Sequence, residues 1–289
     1  RSIMGIGLGV LLPLSTSLVA DFFNGDDRSR MMGYSSAIKN LGGVIATVLA
    51  GFLSLLGWRY PFLVYIVAIF VLVLVVLYLP DKEIPSKTNH KVIITRNVWL
   101  LGLSIFAVMQ MFFAIPASLS VYIESGNLGT GFLTGLLISL VTVGSFFFGI
   151  LYHRIKTFFK GYTVVIGLIF IIVGMLGVGL YYNIVSMAFF LLLIGFGLGV
   201  VAPNIYLQTT LQSTVKDITL SLAIVSSFSY LGQFASPLFI EFIQNVFNYN
   251  TASSPFMISA VIGVISLVAV LINKKMKLYD EDRAIPEQV

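Results

Sequence analysis

The sequence contains no cysteine, only two histidines and few charged residues. Without cysteine there is no disulfide framework and no thiolate metal site. The histidines, His90 and His153, both lie near charged loops, which leaves nothing from which to build a catalytic metal centre. Charged residues make up 10% of the 289 residues, against about a quarter in ordinary soluble domains. An ordinary soluble domain is therefore excluded.

Apolar residues are what the chain has in abundance. They make up 58% of the sequence, with a mean hydropathy of +0.99, and they come in runs of about 20 residues. The composition thus predicts an all-α, multi-pass membrane protein whose first partner is the lipid bilayer. The net charge of +5 does not indicate nucleic-acid binding, because the basic residues lie in loops between apolar runs.

A glycine ladder occurs twice in the chain. Residues 5–13 read GIGLGVLLP and residues 195–203 read GFGLGVVAP, with six of nine residues identical at an offset of 190. Residues 41–47 align with residues 231–237 at the same offset, so the chain contains an internal repeat. Residues 1–20 could also be read as a signal peptide, but a removed leader would have no reason to share this ladder.

Nine membrane spans are predicted, separated by short polar loops. They cover residues 2–22, 31–54, 60–79, 97–122, 131–152, 162–181, 185–209, 218–243 and 254–273. Residues 81–96 form the long polar linker. We therefore divide the chain into an N-terminal bundle (1–80), the linker (81–96), a C-terminal bundle (97–273) and a tail (274–289).

Positive charge predicts the orientation of these spans. If the first span runs inward, fourteen basic residues fall on the inner side and two on the outer side. Lysine and arginine are retained in the cytoplasm, so the linker and the C-terminus are expected there.

The repeat also predicts a larger symmetry. Residues 2–79 correspond to residues 185–273, whereas residues 97–181 have no counterpart in the chain. We expect a protein of two pseudo-symmetric six-helix halves, of which nine of twelve spans are present.

Several motifs resemble those of the major facilitator superfamily. Arg1 with Gly5 and Gly7 is similar to the start of the family's fourth span, and residues 21–33 resemble its next loop. Residues 57–62, GWRYPF, are similar to the start of its sixth span. The resemblance implies a bundle of major facilitator type and transport by alternating access.

Within that family the chain is most similar to twelve-span drug/proton antiporters. Residues 42–51 stand where these proteins carry a Gly-Pro pattern, with Ala46-Thr47 in its place, whereas residues 232–237 keep more of it. Residues 149–154, GILYHR, resemble a loop signature in which His153 replaces an acid. The resemblance implies that Arg1 takes part in proton coupling.

Small residues recur at a spacing of four on several predicted helices, which lets membrane helices approach closely. We interpret these stripes either as fixed packing or as surfaces along which two bundles rock. The packing or gating positions are Gly5, Gly9, Pro13, Gly43, Thr47, Gly51, Gly195, Gly199, Pro203, Gly232 and Pro237.

Polar residues inside the spans are candidates for proton coupling or substrate binding. Pro13 and Pro203 each free a backbone carbonyl in mid-span, and Asn204 and Gln208 then share one helix face, as in a cavity wall. Hydrogen bonding between helices is the alternative for these residues and for Gln110 and Gln233.

Lys39 is the only charge well inside a span. It is predicted to lie roughly 13 Å from the membrane surface, given 1.5 Å per residue from Arg30. Such charges are costly and usually functional, so Lys39 is a candidate substrate or coupling residue. The alternative is that its side chain extends to the interface.

Charged residues at the predicted inner ends of the spans are further candidate functional residues. Asp21, Arg28 and Arg154 are predicted to form a loop switch, in which Asp21 pairs either with Arg28 or with a basic loop outside this chain. No carboxylate lies deep inside a predicted span, since Asp21 is at an inner end and Glu124 and Glu241 are near outer ends. A proton-carrying acid is therefore expected in spans outside this chain, with Glu241 and Glu124 as second choices.

The favoured function is secondary active transport, with proton-coupled efflux of small amphipathic molecules such as drugs. We expect no cofactor other than a proton gradient, a small-molecule substrate, a monomer, and a plasma or inner membrane location. A metabolite or sugar transporter and a non-transporting sensor are the alternatives. An enzyme or an ATP-driven pump is disfavoured, because the sequence lacks a catalytic constellation and a phosphate-binding loop.

Overall fold

The computed structural model describes residues 2–54, 59–78, 94–126, 128, 131–214 and 217–275. In these ranges the protein is all helical. The α-helices are α1 (Ser2–Phe22), α2 (Gly25–Ser54), α3 (Val67–Tyr78), α4 (Arg96–Ser125), α5 (Gly131–Phe159), α6 (Thr163–Leu180), α7 (Ile184–Leu211), α8 (Ile218–Phe247) and α9 (Ser254–Lys275). Two short 3₁₀ helices, Tyr60–Ile66 and Lys160–Tyr162, precede α3 and α6. Each predicted span therefore coincides with a helix.

Six stretches of the described chain are long and apolar enough to cross a membrane, and one of them, Leu133–Leu180, runs through both α5 and α6. A shorter apolar helix covers Phe62–Tyr78. The second predicted span is helical too, but α2 is more polar because it carries Lys39 and Asn40 in its middle. A helical bundle that spans the membrane several times is thus confirmed.

Several helices extend beyond their predicted ends. The loop between the first two predicted spans covers residues 23–30, yet α2 already begins at Gly25, with Asp26 and Asp27 in its first turn. Acidic side chains there are stabilised by the positive end of the helix dipole. Similarly, α5 continues to Phe159, past the predicted end of the span at residue 152, so His153 and Arg154 are helical and their placement in a loop is wrong.

The chain divides into two compact units, the described parts of Arg1–Asn40 with Ile93–Val289, and of Leu41–Val92. In the smaller unit, the side chains of α3 are exposed along the whole helix. The expected linker at residues 81–96 lies almost entirely outside the described residues. The division of the chain at that linker therefore stays a prediction.

In the larger unit, α7 packs against both α5 and α6, α4 packs against α8, and α6 packs against α9. The apolar core lies between these helices, with the largest fully buried side chains including Tyr122, Leu101 and Ile105. Helix α1 packs against α8, which joins the first helix of the chain to the C-terminal bundle.

Candidate functional site

Five helices of the larger unit meet at one end and close it with apolar side chains. This end cluster comprises Ala20, Met32, Tyr152, Val200, Leu207, Ile218 and Leu222. Each of these side chains is at most 4% exposed. They come from the end of α1, the first part of α2, the last part of α5, the middle and end of α7, and the beginning of α8. The cluster therefore buries apolar side chains from five helices against one another.

Next to the end cluster, polar side chains connect α1 and α2 to the C-terminal helices. Ser17 of α1 and Thr219 of α8 share a hydrogen bond of 2.6 Å between their hydroxyls. Asn40 of α2 donates its Nδ2 to Ser145 Oγ of α5 at 2.8 Å. We call Thr16, Ser17, Lys39, Asn40, Ser145 and Thr219 the polar junction.

Lys39 belongs to this junction. Its Nζ donates to Thr16 Oγ1 at 3.3 Å, and the Thr16 side chain is buried. The ammonium group is therefore directed at a hydroxyl in the middle of α1, although the Lys39 residue as a whole is exposed in the described chain. A substrate or coupling role for Lys39 stays a prediction.

Asn204 and Gln208 are both buried on α7, as their shared face predicts. Asn204 donates Nδ2 to the Tyr152 hydroxyl at 3.2 Å, while its Oδ1 has no hydrogen-bond partner among the described residues. Gln208 accepts a long hydrogen bond of 3.5 Å from Gln212 Nε2. Asn204 therefore connects α7 to the end cluster through Tyr152.

Gln110 and Gln233 lie between α4 and α8, which agrees with the interhelical alternative. Gln110 donates Nε2 to the Ala235 carbonyl at 3.5 Å, and Gln233 donates to the sulfur of Met109 at 3.9 Å. The Ser236 hydroxyl donates to the Gln110 carbonyl at 2.7 Å, beside Pro237, which is exposed. Gln110 Oε1 is buried without a partner among the described residues.

The two copies of the glycine ladder differ in what they touch. A Cβ built on Gly199 would lie 2.5 Å from the Ser145 carbonyl oxygen, and one on Gly195 would overlap the Val141 carbonyl. Cβ atoms on Gly5 and Gly9 would meet no described atom within 4 Å. The expected close packing is thus present on α7 and absent on α1 within the described chain.

The other predicted packing positions also differ in whether they contact a neighbouring helix. Gly232 contacts α4, since a Cβ there would lie 2.5 Å from the Phe106 carbonyl oxygen, whereas a Cβ on Gly43 would meet no described atom within 4 Å. Pro13 and Pro203 are buried inside α1 and α7. The side chain of Thr47, the surroundings of Gly51, and Arg1 lie outside the described residues.

Arg28 caps the end of α1. Its Nε donates to the Phe23 carbonyl at 2.9 Å, and its Nη2 donates to the Ala20 carbonyl at 2.8 Å and to Asn24 Oδ1 at 3.1 Å. Burial lowers the pKa of the guanidinium, and the charge of nearby Asp21 opposes that shift. Arginine is always protonated in proteins, so Arg28 presents a permanent cation to the negative end of the α1 dipole.

The positions and contacts of Asp21, Arg28 and Arg154 therefore differ from those expected of the predicted loop switch. Asp21, Arg28 and Arg154 all lie in helices: Asp21 lies in α1 as predicted, whereas α2 begins earlier and α5 ends later than predicted, which places Arg28 and Arg154 in helices too. Arg28 binds mainly the backbone of the α1–α2 connection, while Asp21 acts on it through charge. Arg154 lies on α5 and faces a separate cleft with Arg30.

Replacing Arg28 by glutamine is expected to lower the free energy of unfolding by about 1.5–3 kcal/mol, the range for hydrogen bonds to charged groups. Arg28→Lys should have an intermediate effect, since an ammonium keeps the charge but cannot match the planar fork. Thermal unfolding of the purified variants measures both. Equal stability of the wild type and Arg28→Gln would contradict a capping role.

The sequence of this chain matches a known protein family. The sequence profile described as Major Facilitator Superfamily matches residues 1–237, well over half of the chain. The chain belongs to the major facilitator superfamily. The bundle is accordingly of major facilitator type, and the family consists of transporters rather than enzymes, which confirms the expectation of no enzymatic activity.

Similar curated proteins are quinolone resistance proteins of Staphylococcus aureus. NorB of strain MSSA476 is 28% identical over 155 residues, which cover 50% of this chain and 29% of NorB. NorA of strain MRSA252 is 24% identical over 98% of this chain and 75% of NorA. The chain spans less than a third of NorB, and 39% of NorA of strain MSSA476 in a shorter match.

The fold is also similar to a solved structure. The crystal structure of the human organic anion transporter MFSD10 superimposes with a TM-score of 0.76, covering 89% of this chain and 67% of MFSD10. The sequences are 18% identical, so the similarity concerns the fold alone.

Lys39 could be identified from the sequence, but most of the residues that form hydrogen bonds between the helices around it could not. Asn40 directly follows Lys39 in the same span, and its polarity could have marked it. Ser145 and Thr219 carry no such signal, because serine and threonine occur throughout membrane helices and reveal their partners only in three dimensions.

Proposed function

We propose that this chain forms part of a secondary active transporter that exports small amphipathic molecules in exchange for protons. The observation that carries the proposal is the polar junction beside a closed end. Helices α1 and α2 meet α5, α7 and α8 there, so polar groups within the bundle face each other next to a buried apolar cluster. Alternating access requires a seal at one end at a time.

Family membership and the quinolone resistance relatives support this substrate class. Amphipathic aromatic molecules need a pocket that combines apolar walls with a few polar groups. Phe148 and Tyr206 pack against the end cluster and provide apolar side chains. Lys39, in the first copy of the repeat, and Asn204, in the second, provide polar groups nearby.

Membrane location and orientation form part of the proposal. We place the protein in the plasma or inner membrane as a monomer, with its C-terminus in the cytoplasm, because the basic residues gather on that side. The end cluster then closes the cytoplasmic end, and no cofactor other than the proton gradient is needed.

Transport of a quinolone into proteoliposomes tests the proposal. Full-length protein with an imposed pH gradient is expected to accumulate the drug, and a protonophore should abolish the accumulation. Drug flux that persists unchanged with the protonophore would overturn proton coupling. Absence of drug flux, together with uptake of a sugar or another metabolite, would instead favour the alternative substrate class.

A non-transporting sensor of the same fold is the alternative from a different functional class. A sensor would bind the quinolone without moving it. Equilibrium binding in detergent combined with zero flux in proteoliposomes would identify that case.

A further inference from the structure

A basic cleft lies between α2 and α5, apart from the polar junction. It encloses about 730 Å³ and is lined by Arg30, Tyr34, Ile150, His153, Arg154, Thr157 and Phe158. Two of these residues are permanent cations, and none is acidic. The lining thus favours an anion.

The charges of the two arginines are weakly compensated. The carboxylate of Asp27 lies 4.0 Å from Arg30 Nη1, and both side chains are more than half exposed, at 71% and 53%. Exposed pairs of this kind contribute about 0–1 kcal/mol, so Arg30 can exchange Asp27 for a ligand at little cost. Among the described residues, Arg154 makes no ion pair.

His153 supplies the observation that distinguishes this cleft from an internal charge relay. His153 lies in the cleft beside Arg30 and Arg154, and the described lining holds no carboxylate that could neutralise the two arginines. His153 Nδ1 is buried and has no hydrogen-bond partner among the described residues.

The cleft also has an apolar flank. Phe158 is 79% exposed, and Ile150 and Tyr34 are exposed beside it. The Thr157 hydroxyl donates to the His153 carbonyl at 2.6 Å, so its proton is already committed. Cations next to exposed apolar side chains suit a molecule with a phosphate and an acyl chain better than a small inorganic anion.

The backbones of α2 and α5 are in close contact below the cleft. A Cβ on Gly33 would lie 2.6 Å from the Gly149 carbonyl oxygen, so the two helices meet one turn away from Arg30 and His153. The two arginines are therefore presented to the same cleft from two adjoining helices.

We propose that this cleft binds the phosphate of an anionic lipid headgroup, with Arg30 and Arg154 as its principal ligands and the acyl chains along Ile150 and Phe158. Basic pockets between transmembrane helices on the cytoplasmic side bind anionic headgroups in this way. The site is separate from the polar junction and does not depend on what the protein transports.

Binding of dioctanoyl phosphatidylglycerol to the full-length protein in detergent tests the site. Isothermal titration should give saturable binding that the double variant Arg30→Gln/Arg154→Gln weakens at least tenfold. Both arginines are exposed, so the fold should survive, as circular dichroism would verify. Arg96→Gln removes an exposed arginine elsewhere and should leave the affinity unchanged.

His153→Asp provides an independent variant because it adds a carboxylate to the cleft lining while keeping both arginines. It should also weaken lipid binding at least tenfold, whereas His153→Asn should stay within about threefold of the wild type. Retained affinity in His153→Asp, or in the arginine double variant, would overturn the proposal.

Two further ligands distinguish the source of the phosphate. Inorganic phosphate should bind at least tenfold more weakly than phosphatidylglycerol; equal affinity would identify a free-phosphate site and overturn the lipid assignment. Equal binding of dioctanoyl phosphatidylcholine would overturn the requirement for a net negative headgroup.

Discussion

Gly199→Ala is expected to lower the free energy of unfolding by about 1–3 kcal/mol, the range for overpacking a tight interior. The new methyl group would lie 2.5 Å from the Ser145 carbonyl oxygen, which belongs to the backbone of α5 and cannot rotate away. The α5 and α7 helices would have to separate, and the Val141 contact of neighbouring Gly195 would loosen with them. Thermal unfolding in detergent measures the loss.

Gly9→Ala is the matched control, because Gly9 occupies the same place in the other copy of the repeat. A Cβ there meets no described atom within 4 Å. Alanine has the higher helix propensity, so this variant should be neutral or more stable by up to about 1 kcal/mol. Equal destabilisation by both substitutions would contradict the difference between the two ladders.

Lys39→Met is expected to lower drug transport at least tenfold while the protein still folds and reaches the membrane. Methionine keeps much of the side-chain volume but removes the ammonium that donates to Thr16 Oγ1. Loss of one charged hydrogen bond or ion pair costs about 1.5–3 kcal/mol, and 1.4 kcal/mol corresponds to a factor of ten. Initial rates in proteoliposomes measure the effect.

Two variants separate charge from packing at this position. Lys39→Arg keeps the cation and should retain part of the transport activity. Thr16→Val removes only the hydroxyl acceptor, and its effect should be smaller than that of Lys39→Met. If Lys39→Met transports at the wild-type rate, Lys39 has no role in transport and the alternative of an interfacial side chain is favoured.

Helix positions were predictable from the sequence because apolar runs of membrane length leave the backbone few alternatives. Every predicted span coincides with a helix, from Ser2–Phe22 to Ser254–Lys275. Helix ends were less predictable. Arg154 and Asp27 are polar enough to suggest loops, yet helices continue through both, since charged side chains at a membrane surface can remain solvated.

Contacts between helices could be predicted only in part. The ladder at Gly195 and Gly199 correctly indicated a close approach, but an identical ladder at Gly5 and Gly9 has no described neighbour. The difference arises because a small residue permits close packing without specifying a partner. Likewise, the sequence marks Asn40 as polar but does not reveal that Ser145, 105 residues away, receives its hydrogen bond.

The composition of the end cluster also determines how the bundle should respond to its surroundings. Its seven side chains carry no charge, so a membrane voltage does no direct work when they separate. Separation would instead hydrate apolar surface, which raises the heat capacity. Cooling weakens apolar association, and the open and closed forms of this end should therefore exchange populations with temperature far more readily than with membrane potential.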